Sequence, residues 1–245
     1  MKKSMVAATI ALAFGIGFGT AAQAEEVEAR EQAWSPVGVG IFDPVQFPDA
    51  GHDIYGLRFG GILGRSASVW GLDLGLAEIS TGDMFGLQAS AFSWTGNRAF
   101  GAQFGAFANM VSECAILLQG AGAANIVYGD AYGIQLAGVS NYANTFTGLQ
   151  LASIVNWNVQ TSYGFQAAVA NADQFEFFGG SVGALNYAGK LRGCQIGAFN
   201  LADEVHGVQI GIINACDRMK GVQIGAINLI SESVLPVFPV VNGWF

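Results

Sequence analysis

Charge is scarce in this chain. Only 11% of its 245 residues are charged, against 52% hydrophobic, where soluble domains carry about a quarter charged. Cations are scarcer still: 10 Lys+Arg face 18 Asp+Glu, for a formal net charge of −8. That balance provides no basic patch for nucleic acid and excludes it as a partner. There are two histidines, His52 and His206, and each stands alone, so the scattered Ser and Asp residues have no base to activate them. The three cysteines, Cys114, Cys194 and Cys216, show no CxxC spacing. They imply neither a disulfide framework nor a metal site, and read as small apolar fillers with room for one bridge at most. Long hydrophobic runs are also missing. Past the N-terminus, Gly, Gln and Asn interrupt every apolar stretch before ~20 residues, which excludes membrane-spanning helices.

What the chain has is glycine, 35 of them, and a repeated phrase. An aromatic or long residue is followed by Gly, an apolar residue, Gln, an apolar residue, then Gly or Ala. Clean copies are Phe100-Gly101-Ala102-Gln103-Phe104-Gly105 and Lys220-Gly221-Val222-Gln223-Ile224-Gly225. The Gln slot recurs every 14 to 16 residues, twelve times, as Arg58, Asp73, Gln88, Gln103, Gln119, Gln135, Gln150, Gln166, Ser181, Gln195, Gln209 and Gln223. A fixed period means one structural unit copied along the chain.

Within a unit the alternation is strict. Phe100, Ala102 and Phe104 fall on one face, Gly101, Gln103 and Gly105 on the other, which is a strand signal. An Asn recurs five or six positions after the Gln (Asn109, Asn125, Asn141, Asn156, Asn186, Asn200, Asn214, Asn228), where it is expected to close the strand into a turn. Asn, Asp, Gly and Ser fill the segments between phrases, as turns favour. The charges, Asp173 among them, are expected there too. Only Arg58 and Asp73 place a charge inside a strand.

The pattern predicts an all-β fold with two competing architectures. A ten-residue strand spans roughly 33 Å and a five-residue connection at most ~18 Å. An unbent strand therefore cannot return to start a parallel copy. This favours an antiparallel meander of about 12–14 strands, closed as an outer-membrane β-barrel whose apolar face meets lipid. The phrase-opening residues Tyr55, Trp70, Phe85, Phe100, Tyr132, Tyr163, Arg192, His206 and Lys220 would form its interfacial girdle. Trp244 and Phe245 would be its C-terminal assembly signal, read by the barrel-assembly machinery. The alternative is a β-solenoid of stacked parallel units, which requires each strand to bend, for example at Gly197-Ala198 or Gly225-Ala226. Short connections at both ends and Pro236 and Pro239 in the last strand count against the barrel.

Residues 1–24 read as a signal peptide: Lys2 and Lys3, an apolar run from Met5 to Gly19, then Ala22-Gln23-Ala24. Residues 25–35 are a polar lead-in and 36–245 a single repeat domain. The product is expected at the outer membrane or cell surface, with outer-membrane lipid as its other partner.

The run Tyr55-Gly56-Leu57-Arg58-Phe59-Gly60, then Trp70-Gly71-Leu72-Asp73-Leu74-Gly75, the repeated Gly-x-Gln-Ile-Gly-x-x-Asn, and the close Leu235-Pro236-Val237-Phe238-Pro239 resemble the bacterial Gly-Leu-Gln-Ile-Gly surface-repeat family first noticed in Leptospira. The resemblance spans about residues 34 to 245. It implies an exported envelope protein and carries no activity or functional residue with it. Some members are labelled polyhydroxyalkanoate synthases, but Arg192-Gly193-Cys194-Gln195-Ile196 lacks the glycine spacing of a nucleophile elbow.

No catalytic residue, cofactor or metal ligand is expected. His206 fills a slot shared with Tyr, Phe and Lys. Asp173-Gln174-Phe175-Glu176 lacks a calcium loop's Gly and ligand spacing. The Gln column could wet a narrow pore or bond across neighbouring strands, and the second reading is preferred because uncharged Gly and Gln offer no selectivity. Arg58 and Asp73 sit in consecutive slots, so they should lie side by side as a structural ion pair, whichever way the strands run.

Overall fold

The computed structural model describes residues 33–233 and 236–244, apart from the side chain of Leu117. The signal peptide, most of the lead-in, Leu235 and Phe245 lie outside the described residues. Residues Gln32–Phe245 form one compact unit. Its strands are β1 (Trp34–Phe42), β2 (Val45–Phe47), β3 (Asp53–Ser66), β4 (Val69–Leu74), β5 (Ala77–Ser80), β6 (Met84–Thr95), β7 (Arg98–Val111), β8 (Cys114–Ala121), β9 (Ala124–Ala137), β10 (Ser140–Ala152), β11 (Val155–Asn158), β12 (Ser162–Ala167), β13 (Ala170–Ile230) and β14 (Val237–Trp244).

The copies run parallel, in register, one above the next. Gln88 lies opposite Gln103, Gln103 opposite Gln119, Gln119 opposite Gln135, and Gln135 opposite Gln150. This corrects the expected barrel and its antiparallel meander. The fold is a β-solenoid, the alternative reading, and each copy is one turn of it. The reach argument failed because the strands are not straight. In β7 the pairing shifts partner between the two halves: Arg98–Gly105 face β8 while Ala108–Val111 face β9. The chain therefore folds back near Gly105-Ala106 and returns within one period. In β13, 61 residues wind on without a break.

Four inward columns fill the narrow interior, and the glycines stack in a further column that is open to solvent at Gly86, Gly101 and Gly133. One inward column is apolar (Val69, Met84, Ala99, Ala115, Phe146), and the second is the Gln slot. The last two are the recurring Asn and the residue two places after it, such as Val111 or Val127. The Asn residues are thus buried ladder members, not turn closers. The glycine column has a stereochemical cause. Gly164 has φ +127, and a Cβ on it would fall inside the carbonyl oxygen of Gly148 one turn below. Gly164→Ala should therefore cost about 3 kcal/mol from backbone strain and ladder displacement, measured by chemical denaturation. Gly180→Ala, whose Cβ would meet only the Phe165 ring at 3.3 Å, should cost far less.

The expected girdle is instead a stack of rings up one outer edge. Tyr55, Trp70, Phe85 and Phe100 lie with successive centroids 5.7, 3.9 and 4.7 Å apart, and the Arg98 guanidinium covers Phe100 at 5.9 Å. Register alone places these rings one strand spacing apart.

Both ends of the stack are closed. The short β2 lies antiparallel on β1 between Pro44 and Pro48. Strand β14 lies antiparallel on the last turn, placing Trp244 opposite Gly221. Its register shifts between Gly225 and Asn228, and Val240 has φ 70. The last strand is therefore a cap that covers a sheet edge. Its reading as a barrel-assembly signal loses its basis with the barrel.

Candidate functional site

Arg58 from β3 and Asp73 from β4 occupy directly opposed positions. Arg58 Nε donates to Asp73 Oδ1 at 2.7 Å and Nη2 to Oδ2 at 3.0 Å, a bidentate pair. A third member escaped the sequence reading. Nη2 also donates to Glu78 Oε2, and Nη1 to the Ser66 hydroxyl and, at 3.3 Å, to the Ile79 carbonyl. The side chains are 4% exposed for Arg58 and 0% for both acids. Glu78 fits because Gly60, Gly64 and Gly75 surround its carboxylate, with no room for a Cβ on any of them. Burial pushes the Glu78 carboxyl up to about 7, against the pull of Arg58, and its Oε1 has no hydrogen-bond partner. One cation thus serves two acids. The space beside Arg58 among β1, β2 and β3 is about 10 Å³, no more than one water. The cluster has no room for a substrate beside Arg58.

The glutamines form the ladder directly above this cluster. Gln88 Nε2 donates to Asp73 Oδ2 at 2.7 Å. Gln103 donates to Gln88, Gln119 to Gln103, Gln135 to Gln119 and Gln150 to Gln135, at 2.7–2.9 Å. A second run links Gln223 to Gln209 and Gln209 to Gln195. The Asn column is longer. Asn109 to Asn228 are joined by successive side-chain bonds of 2.8–3.0 Å. Each amide also donates to a backbone carbonyl of the next turn, as Asn156 does to Ala167 at 3.1 Å. Polar residues are tolerable here because donors and acceptors match within each column. The amides fill the interior instead of wetting a pore.

The Gln ladder is interrupted between Gln150 and Gln166. Gln150 exchanges bonds with Asn158 at 3.0 and 3.2 Å. Gln166 and Asn158 both donate to Asp173 Oδ1, each at 3.0 Å. Asp173 is therefore not a turn charge, as the sequence reading had it, but an interior residue 1% exposed. Burial pushes its carboxyl up to about 7, although the two amide bonds favour the ionised form. These polar groups divide the apolar core: one buried cluster ends at Phe146 and the other begins at Phe177.

Glu78 and Asp173 were visible in principle. Glu78 lies opposite Ser93, and Ser93 opposite Asn109, so it occupies the Asn column five places after Asp73. Asp173 follows Asn171 by two, as Asn158 follows Asn156. Extending the columns beyond their consensus residues would have found both.

Among the described residues, no group of three or more His, Cys, Asp and Glu is placed to hold a metal ion, and no helix is long and apolar enough to cross a membrane. His206 Nε2 lies 3.3 Å from Glu204 Oε1 on the outer edge. Cys114, Cys194 and Cys216 are free thiols, and burial pushes Cys216 up to about 12. The chain is thus a ladder-locked parallel β-solenoid. No family model, curated protein or solved structure matches it.

Proposed function

We propose that this chain is an exported, envelope-associated repeat protein, a member of the Gly-Leu-Gln-Ile-Gly surface-repeat family, that serves without catalysis as a rigid binding or scaffold module. The observation that supports this reading most is the pair of buried amide ladders. They fix successive turns in one register, and a stack held that way presents flat, repeated outer faces of constant geometry. Lys2 and Lys3, the apolar run from Met5 to Gly19 and the small-x-small sequence at Ala22-Gln23-Ala24 support export.

Cell fractionation tests the reading. The product should lose its first 24 residues, recover with the envelope, wash off at high pH as a peripheral protein, and migrate alike boiled and unboiled. An uncleaved product in the cytoplasm would overturn the export reading. Heat-modifiable migration of a product resistant to washing would overturn the peripheral module.

A further inference from the structure

The residues flanking each Gln point outward and build a wall along the stack. Leu57, Phe104, Ile134, Phe165, Ile196 and Ile224 are 39–43% exposed on it. From β3 to β12 its positions align in parallel register, and none carries a charge. At two-fifths of a ~200 Å² side-chain surface each, the large apolar residues of the wall expose on the order of 900 Å². The largest apolar patch of an ordinary monomer is about 300–600 Å².

We propose that this wall is a self-association surface on which a second copy of the chain seats face to face; the proposal rests on the module reading and supplies its partner. Four observations select that occupant. Two such walls would bury on the order of 1,800 Å², the size of a standard stable interface. The wall is flat but not featureless. A shallow depression of about 510 Å³ sits where the wall meets the bend, lined by Gly120, Leu136 and Leu151 of the wall and by Ala137, Gly138 and Ser153 at the strand ends and turn, and gives facing sheets ~10 Å apart some relief to interdigitate. The positions flanking the Gln column carry no charge, and Arg192 and Lys220 lie one column away in the phrase-opening slot, so pairing the wall desolvates no charge at its centre. Three of the outer cations are already bonded across turns, Arg98 to Asp83 at 2.7 Å, Arg192 to Glu176 at 2.8 Å and Arg218 to Glu204 at 3.3 Å, which leaves the exposed Lys190 and Lys220 to meet an anionic lipid surface. Finally, β2 is three residues long between Pro44 and Pro48, and β14 carries Pro239 and a register shift, so neither end offers a regular edge for end-to-end addition. The other wall flanks the Asn column, with Ala108, Ala124, Ser140 and Ala170 among its outward positions.

Sedimentation velocity of the purified chain, with reductant present because Cys194 lies on the wall, tests the proposal. The mature wild-type chain should run at twice its monomer mass at micromolar concentration. Its association should strengthen with added salt, since the apolar contact persists while repulsion between acidic copies is screened. Leu136→Glu should weaken association by roughly 30-fold or more with an unchanged circular dichroism spectrum. Leu201→Glu on the other wall should leave it intact. If Leu136→Glu fails to fold, Leu136→Ser should show the same direction. A monomeric wild type, or equal effects at the two walls, would overturn the proposal. So would a monomer that floats with phosphatidylcholine vesicles and loses them on Leu136→Glu, which would assign the wall to lipid. A monomer that still fractionates with the envelope would sink only the self-association and leave the module reading standing.

Discussion

Arg58→Gln will destabilise the protein by about 4 kcal/mol at pH 8, the scale of breaking a buried ion pair by removing one partner. The variant leaves Asp73 and Glu78, both 0% exposed, with no cation between them. The loss will shrink at pH 5. Burial already raises Glu78 from 4.5 to about 7, and Arg58 opposes that rise, so without Arg58 the carboxyl takes up a proton more readily. Because its folded pKa lies above the unfolded one, Glu78 contributes stability below about pH 4.5 and loses it as pH rises to about 7. Arg58→Gln with Asp73→Gln rebuilds the amide column beneath Gln88. Two partners alone would predict nearly full recovery, but Glu78 remains. The double variant should approach wild type at pH 5 and keep part of the deficit at pH 8.5, and adding Glu78→Gln should remove the difference. Denaturant midpoints at the two pH values decide it. Near-wild-type stability of Arg58→Gln at both would show that the cluster holds nothing together.

Asp173→Asn will stabilise the protein at pH 8 by about 4 kcal/mol, at ~1.4 kcal/mol per unit over about three units. The wild-type carboxyl is raised from 3.8 to about 7 by burial. Its contribution is present below about pH 4 and is lost as pH climbs to about 7, so above that the folded state holds an ion it would rather protonate. An Asn keeps the shape, still accepts from Asn158, and adds a donor beside Gln166, whose Oε1 has no partner. The gain should vanish at pH 4. A variant no more stable than wild type at pH 8 would mean that water or a cation already compensates the charge. Asp173 sits where the apolar core divides, so the wild-type profile should show the two halves of the stack losing cooperation as pH rises.

Much of the interior was legible because it is periodic. The 14- to 16-residue spacing, the alternation around each Gln and the pairing of adjacent slots follow from copy number and strand geometry. They placed Arg58 beside Asp73 in either direction of travel. The same alternation assigns the Gln face inward and the Phe and Leu face outward in both a barrel and a solenoid, so that assignment did not depend on the architecture. The exceptions were harder to read. Glu78 and Asp173 stand in columns whose consensus residues are Asn and small apolar groups, and a charge read against a single phrase resembled a turn.

The sequence by itself determined the repeat and the face on which each Gln lies. The direction of the chain between copies was decided only in three dimensions. It depends on whether a strand continues straight past Gly105-Ala106 or folds back there, and alternation is identical in the two cases. The fold-back prevails because parallel stacking lets the Asn amides from Asn109 to Asn228, and the Gln amides on either side of the break at Gln166, meet their own kind at strand spacing. An antiparallel neighbour would reverse the order of the Gln and Asn along the strand and leave one of the two columns facing unlike partners.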